Sequence, residues 1–153
     1  VVIGPDGRYW MVARHHLTRT LWSLGVREVP VVIEGRLTDA SQFWSQMQER
    51  HWAWLHDEQG HSITPDRLPA HIALLPDYPY RSLAGFAEDA GLYRKGNNPY
   101  FIEFAWAQYL GEKLKWRAVT RDNLETLLKA SSILACLPDA ADLPGYPGRE
   151  CQE

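Results

Sequence analysis

Cysteine is scarce in this chain of 153 residues. Cys136 and Cys151 are its only two, too few for a disulfide framework and without the spacing of a metal-ligand set. They read as free thiols, with a bridged, exported chain as the alternative. No apolar run approaches the roughly 18 residues that span a bilayer, and no charged start leads into an apolar stretch as in a signal peptide. This favours a soluble, cytoplasmic protein with no membrane partner. A surplus of positive charge is also lacking: 16 Lys and Arg stand against 19 Asp and Glu, a formal net charge of −3. Phosphate-driven binding over a whole surface needs clustered cations, so any phosphate site here must be local. The chain opens without methionine, inside the apolar segment "VVIGPDG". That start reads as a missing upstream segment, which leaves export open.

The length suits one domain, residues 1–153, burying about 70% of the surface its unfolded chain exposes. Seven tryptophans read first as bulky core and second as ligand-stacking surface. "VVIGPDGRYWMVA" reads as a hairpin, because Pro, Asp and Gly suit its turn. From Arg14 the period changes. Leu17, Leu21 and Leu24 form one helical stripe and Gly25 supplies a left-handed stop. The β-branched run Val29 to Ile33 reads as a buried strand. Asp39 or Ser41 can cap a helix with Phe43, Trp44 and Met47 on one face. "HDEQGHSITPDRLP" reads as a surface loop. A short helix then carries Leu83, Phe86 and Ala90 and ends at Gly91. Asn98 and Pro99 look like the opening of a helix through Phe101, Phe104, Ala105 and Tyr109. Thr120 caps a last helix striped by Leu124, Leu127, Leu128 and Ile133, which Pro138 halts. Residues 138–153 read as an irregular Pro- and Gly-rich arm, on the surface or partly loose. Few strands at the start and a helical majority after them make an α+β fold.

The chemistry concentrates in "VARHHLTR". A helix N-terminus entered from a strand offers unpaired N–H groups and the positive end of the macrodipole, and therefore suits an anion. Arg14 can fork onto two phosphate oxygens, Thr18 adds a hydroxyl, and Arg19 lies near on the helix. His15 and His16 diverge by roughly 100° around the helix, so they suit different tasks. The alternative is structural: one histidine capping the strand end, the other exposed, and the arginines as surface charge. A metal pair fits poorly, since helical ligands recur at i, i+4.

Several blocks, in order, carry a resemblance: "VVIGPDGRYWMVARHH", "FW" on the next helix, "PYRSLAG", "FIEFAWAQYL" and "LPGY". Together they resemble the ParB-like putative nuclease family, a branch of the ParB and sulfiredoxin superfamily. The resemblance implies a small sheet whose strand-to-helix junction binds nucleotide or nucleic-acid phosphate. Members of that superfamily are CTP-hydrolysing partition factors, ATP-dependent sulfinic reductases, free-serine kinases and reported nucleases. The superfamily motif falls on Arg14, His15 and His16. This chain departs from it with Ala13-Arg14, where an acidic residue and a glycine usually stand, which makes the junction more cationic and counts against a carboxylate- or metal-assisted role at that spot. The reductases' cysteine is absent there, which excludes sulfinic reductase activity. The superfamily's usual N-terminal strand, and with it the acidic residues that act in the kinase members, falls upstream of Val1.

A second block, "DYPYRSLAG", offers Asp77, Tyr80, Arg81 and Ser82. One reading has Ser82 as an N-cap with Arg81 exposed; the other has Tyr80 and Arg81 closing over a phosphate or base held at the histidines. Glu103 should face inward, either paired with Arg19 or Arg81 or acting as a general base. Asp57 is either a turn residue or a holder of Mg2+ bridging to a nucleotide's phosphates. The leading expectation is phosphodiester hydrolysis on nucleic acid or nucleotide. In it His15 or His16 is base or acid, and Arg14, Arg19 and Arg81 hold the anion. The runner-up is a nucleoside-triphosphate-dependent phosphotransferase or NTPase, which the acidic net charge suits better than a broad DNA footprint. The third is a non-catalytic, nucleotide-gated binding module with an apolar patch around Trp44 and Trp52.

Overall fold

The computed structural model describes residues 1–95 and 100–148. The chain forms an α+β fold in two compact units whose sequences interleave. The first is Val1–Leu55 with Ile63–Pro76; the second is His56–Ser62 with Asp77–Glu153.

In the first unit, β1 (Val2–Ile3) and β2 (Tyr9–Trp10) pair antiparallel, Val2 opposite Trp10. The turn between them closes by Gly4 N–H to the Arg8 carbonyl at 2.8 Å, with Gly7 left-handed at φ 79°. The expected hairpin is therefore present. Helix α1 (His15–Ser23) follows, then β3 (Gly35–Arg36), parallel to β1 and outermost in the order β2-β1-β3. Helix α2 (Phe43–Glu49) buries Phe43 and Met47, one turn apart. Of the two expected caps Asp39 acts, its Oδ1 accepting from Ser41 N–H at 2.8 Å and Gln42 N–H at 3.2 Å ahead of the helix. Val2, Ile3, Val12 and Leu37 complete this core with Phe43, Met47 and Leu55. Trp10 packs edge-on against Trp44, ring centres 5.0 Å apart. Trp52 lies over Gly35, where a Cβ would stand 2.7 Å from its ring. Two short 3-10 turns, Pro65–Arg67 and Ile72–Leu74, end the unit.

Two expectations fail here. The run Val29 to Ile33 is not a buried strand: its four apolar side chains are 40% to 72% exposed, and only Gly35–Arg36 joins the ladder. Nor do the leucines of α1 form its inner stripe, for Leu17 is 50% and Leu24 76% exposed. The half-buried face carries His15, Thr18, Arg19, Leu21 and Trp22 instead, because Arg19 donates to the Leu75 carbonyl at 2.6 Å and Trp22 packs edge-on to His71. These tertiary anchors, which a count of apolar spacing does not weigh, set the rotation of this helix.

The second unit is built on α3 (Pro79–Asp89), α4 (Ile102–Lys113) and α5 (Leu124–Ala135). Trp106 is fully buried, stacked on Tyr93 at 4.5 Å with its indole N–H donating to the Pro144 carbonyl at 2.7 Å. Its neighbours Leu83, Ala84, Ile102, Leu110 and Leu127 are buried with it. Such aromatic burial stabilises by about 2–3 kcal/mol relative to exposure. The inner face of α3 is Tyr80, Leu83, Ala84 and Ala87, at i, i+3, i+4 and i+7, so Phe86 stands outside at 47% exposure. Ile133 on α5 is likewise exposed, while Leu127, Ser131 and Ala135 turn inward. The N-cap position of α5 is Asn123, whose side chain accepts from Thr120 N–H at 2.9 Å, reversing the expected role of Thr120. Asn98 and Pro99 lie outside the described residues, and α4 itself opens after Phe101.

The arm beyond Pro138 is fastened rather than loose as far as residue 148. Ala140 is fully buried, Leu143 and Tyr146 pack on the core, and Arg94 N–H donates to the Gly145 carbonyl at 2.9 Å. Cys136 is disulfide-bonded, which corrects the expectation of free thiols. The two cysteines bracket the turn-rich arm in sequence, and Cys151 lies outside the described residues.

Candidate active site at the first helix start

Buried Val12 anchors the short link between β2 and α1. The chain then turns through Arg14, left-handed at φ 63°, ψ 25°, into the first turn of α1. A non-glycine residue there is strained by about 1 kcal/mol or more. Among the described residues α1 has no side-chain cap and no acid in its first turn, so nothing anionic from its own sequence neutralises the positive end of the helix. A left-handed residue followed by helical ones also turns successive N–H groups toward one concavity.

His15 is half-buried, its Nε2 at 3.2 Å from the Met11 carbonyl. A carbonyl can only accept, so Nε2 carries the hydrogen and Nδ1 is the basic nitrogen of the neutral ring. Burial holds its pKa below the ordinary imidazole value of 6.5; the Met11 carbonyl opposes that shift and His16 adds to it. His16 is exposed. Thr18 donates its single hydroxyl proton to the Arg14 carbonyl at 3.0 Å, so it secures the helix start and is not a phosphate donor in this arrangement. Arg19 gives one of its donors to Leu75, as described. Sequence reading missed Trp22 and His71. The first shares a face with His15 and Arg19 at i+7 and i+3, a signal that was available; the second is too distant in sequence to have been found.

The second unit holds the other expected residues. The buried Tyr80 hydroxyl donates to the Arg117 carbonyl at 2.9 Å, its ring edge-on to Trp116, and burial raises its pKa. Arg81 Nη2 pairs with Glu103 Oε1 at 3.3 Å, and Lys95 approaches the same oxygen at 3.8 Å. This ion pair is the first of the two readings offered for Glu103. Ser82 is exposed and lies inside α3, which opens at Pro79 after Tyr78, so it is not the N-cap. Asp57 Oδ1 accepts from Gln59 N–H at 2.9 Å and His61 N–H at 2.8 Å, while Oδ2 lies 3.1 Å from His61 Nδ1. Burial would raise its pKa, but these bonds outweigh it and hold the carboxyl below its ordinary range. Both oxygens serve the turn. Among the described residues no group of three or more His, Cys, Asp or Glu converges as a metal site. With both Asp57 oxygens engaged in the turn, the described residues do not fit a protein-held magnesium ion.

The sequence profile described as "Putative ParB-like nuclease" matches residues 1–112, covering the first unit, α3 and nearly all of α4. The chain belongs to the ParB-like nuclease family. It is similar to a solved structure, protein Atu1540 from Agrobacterium tumefaciens, at 34% identity and TM-score 0.76 over 95% of this chain and 75% of that one. No curated protein matches. Within this ParB-like chain the charge divides unevenly. The first unit has seven arginines, no lysine and six carboxylates, whereas nine cations face thirteen carboxylates in the second. No helix among the described residues is long and apolar enough to cross a membrane.

Proposed function

We propose that this ParB-like chain hydrolyses phosphodiester bonds in nucleic acid or nucleotide, with the phosphate seated at the start of α1. The observation that carries the reading is a helix entry through left-handed Arg14 with no side-chain cap and no acid in the first turn, which leaves the positive helix end suited to an anion. The first-turn N–H groups and the Arg14 guanidinium hold the phosphoryl oxygens. His15 Nδ1 takes a proton from the attacking water; the phosphorus gains that oxygen and loses the leaving oxygen, which His16 protonates. The all-arginine character of the first unit supports the choice, because a guanidinium matches two phosphate oxygens at once.

The test pairs binding with turnover. ATP, CTP, GTP, mononucleotides and short DNA are screened by thermal shift, since a ligand bound only by the folded state raises Tm. Hydrolysis of the same compounds is then compared for wild type, His15→Gln and His16→Gln. Turnover should fall about 100-fold or more in His15→Gln, the scale of general-base loss, with Tm little changed. Hydrolysis untouched by both variants sinks the reading. Release or transfer of a γ-phosphate alone, with phosphodiesters left whole, replaces it with the NTPase or phosphotransferase alternative. Nucleotide binding without turnover leaves a nucleotide-gated binding module.

A further inference from the structure

Arg19 is half-buried and donates to the Leu75 carbonyl at 2.6 Å, yet it pairs with no carboxylate among the described residues. Arg81, the other half-buried arginine among those residues, has Glu103. A guanidinium drawn partly out of water without an acid has its charge unanswered, and a carbonyl that takes one N–H leaves four more donors. Arg27 is held in the same way, by the Trp22 carbonyl at 3.0 Å and the Val26 carbonyl at 3.3 Å, and it too has no acid among the described residues. Its Cζ stands 4.1 Å from the centre of the Trp22 ring, which His71 meets edge-on at 4.7 Å. Arg27 is exposed, so its outer side offers a charged platform to a flat ring. His15, Arg19 and Trp22 share one side of α1, at i, i+4 and i+7. Arg19 therefore lies about 6 Å, and Trp22 about 10 Å, along the axis from the helix start.

We propose that these side chains extend the α1 site into a track for single-stranded nucleic acid. Arg19 takes the phosphate next to the one at the helix start, and Arg27 on Trp22 takes an unpaired base. The first phosphate is the one assigned under the hydrolytic reading above, on which this inference rests. The step from the helix start to Arg19 is comparable to that between neighbouring phosphates of an extended strand. A base paired in a duplex is already stacked between its neighbours, whereas a single strand has its ring faces free for a platform. A nucleoside triphosphate also brings phosphates and a base, but it travels with a magnesium ion, and α1 carries no carboxylate to receive one.

Fluorescence anisotropy of a labelled single-stranded oligomer, made as DNA and as RNA, is measured over a range of salt in the His15→Gln background, where the strand stays uncut. Arg19→Gln should weaken binding about tenfold and lower the slope of log K against log salt by about 0.7, the value for one phosphate of a single strand, while Arg19→Lys keeps the slope. An abasic oligomer of the same length should bind about tenfold less tightly than the intact one, and Arg27→Gln should erase that difference. Binding of either sugar in this manner supports the track. An unchanged slope in Arg19→Gln with a lowered Tm makes Arg19 an anchor of α1 alone and overturns the proposal, as does tighter binding of ATP with magnesium or of the duplex. The expected slopes without cleavage by the wild type support the track and remove the hydrolytic reading instead.

Discussion

Replacing Gly145 by alanine tests how the C-terminal arm is held. Gly145 is left-handed at φ 74°, and a Cβ there would stand 1.7 Å from the Arg94 carbonyl oxygen, a backbone atom. Gly148 is also left-handed, at φ 61°, but a Cβ there meets nothing within 4 Å. Both substitutions carry the left-handed penalty of about 1 kcal/mol, so their difference isolates the clash. To relieve it the arm must lift from Arg94, which gives up the 2.9 Å bond from Arg94 N–H to the Gly145 carbonyl, a loss of about 1 kcal/mol. Lifting also draws the adjoining Pro144 carbonyl off Trp106 Nε1. A buried indole N–H left without an acceptor costs about 1–3 kcal/mol more. Gly145→Ala should therefore destabilise by about 3–5 kcal/mol and Gly148→Ala by about 1 kcal/mol. Urea unfolding of both variants beside the wild type separates the two losses. Equal losses for both variants would refute the account of the arm.

Arg14→Gly should raise stability by about 1 kcal/mol, because glycine accepts the left-handed turn, while weakening phosphate binding; a lower Tm in urea-free melts would contradict the strain assigned to this position. For His15 the folded ring binds its proton less readily than an unfolded imidazole at 6.5, since burial disfavours the charged form. Its contribution is then complete above the unfolded value and lost as pH falls below it, so Tm should drop between about pH 7 and 5 more steeply in wild type than in His15→Gln. Parallel pH profiles would show that the ring is not buried in this way. Glu103→Gln should leave hydrolysis within about twofold and lower stability by about 1 kcal/mol, through loss of the carboxylate shared by Arg81 and Lys95; a collapse of turnover at full stability would make Glu103 catalytic instead.

Local chemistry made much of the fold legible. Gly7 and Gly25 mark turns that are present, Asp39 precedes its helix, and the hairpin follows from "GPDG". Apolar spacing misled where tertiary anchors decide. Leu17 and Leu24 have the right period, yet the hydrogen bond from Arg19 to the Leu75 carbonyl and the ring contact of Trp22 with His71 turn that face of α1 inward, so that these two leucines face outward. Val29 to Ile33 have the composition of a central strand but lie exposed, ahead of the two residues, Gly35 and Arg36, that join the ladder, a distinction that belongs to topology and leaves no trace in the residues themselves. At the candidate site, the pairing of a strand with "RHH" was readable. Asp57 follows its turn reading; what was not readable was the hydrogen bond that assigns the proton of Thr18 to a backbone carbonyl.

The interleaving of the two units has a bearing on how the chain is made. Residues His56–Ser62 leave the ribosome amid first-unit sequence but belong to the second, where Gly60 accepts from Gln108 at 3.2 Å. The first unit has its full complement once Pro76 has emerged, while the excursion before it still awaits a partner synthesised much later. During that interval the nascent chain carries an unclosed loop in the middle of a finished unit. For the same reason no single scission between Pro76 and Asp77 frees two intact halves: the N-terminal fragment retains the strip that the C-terminal fragment requires.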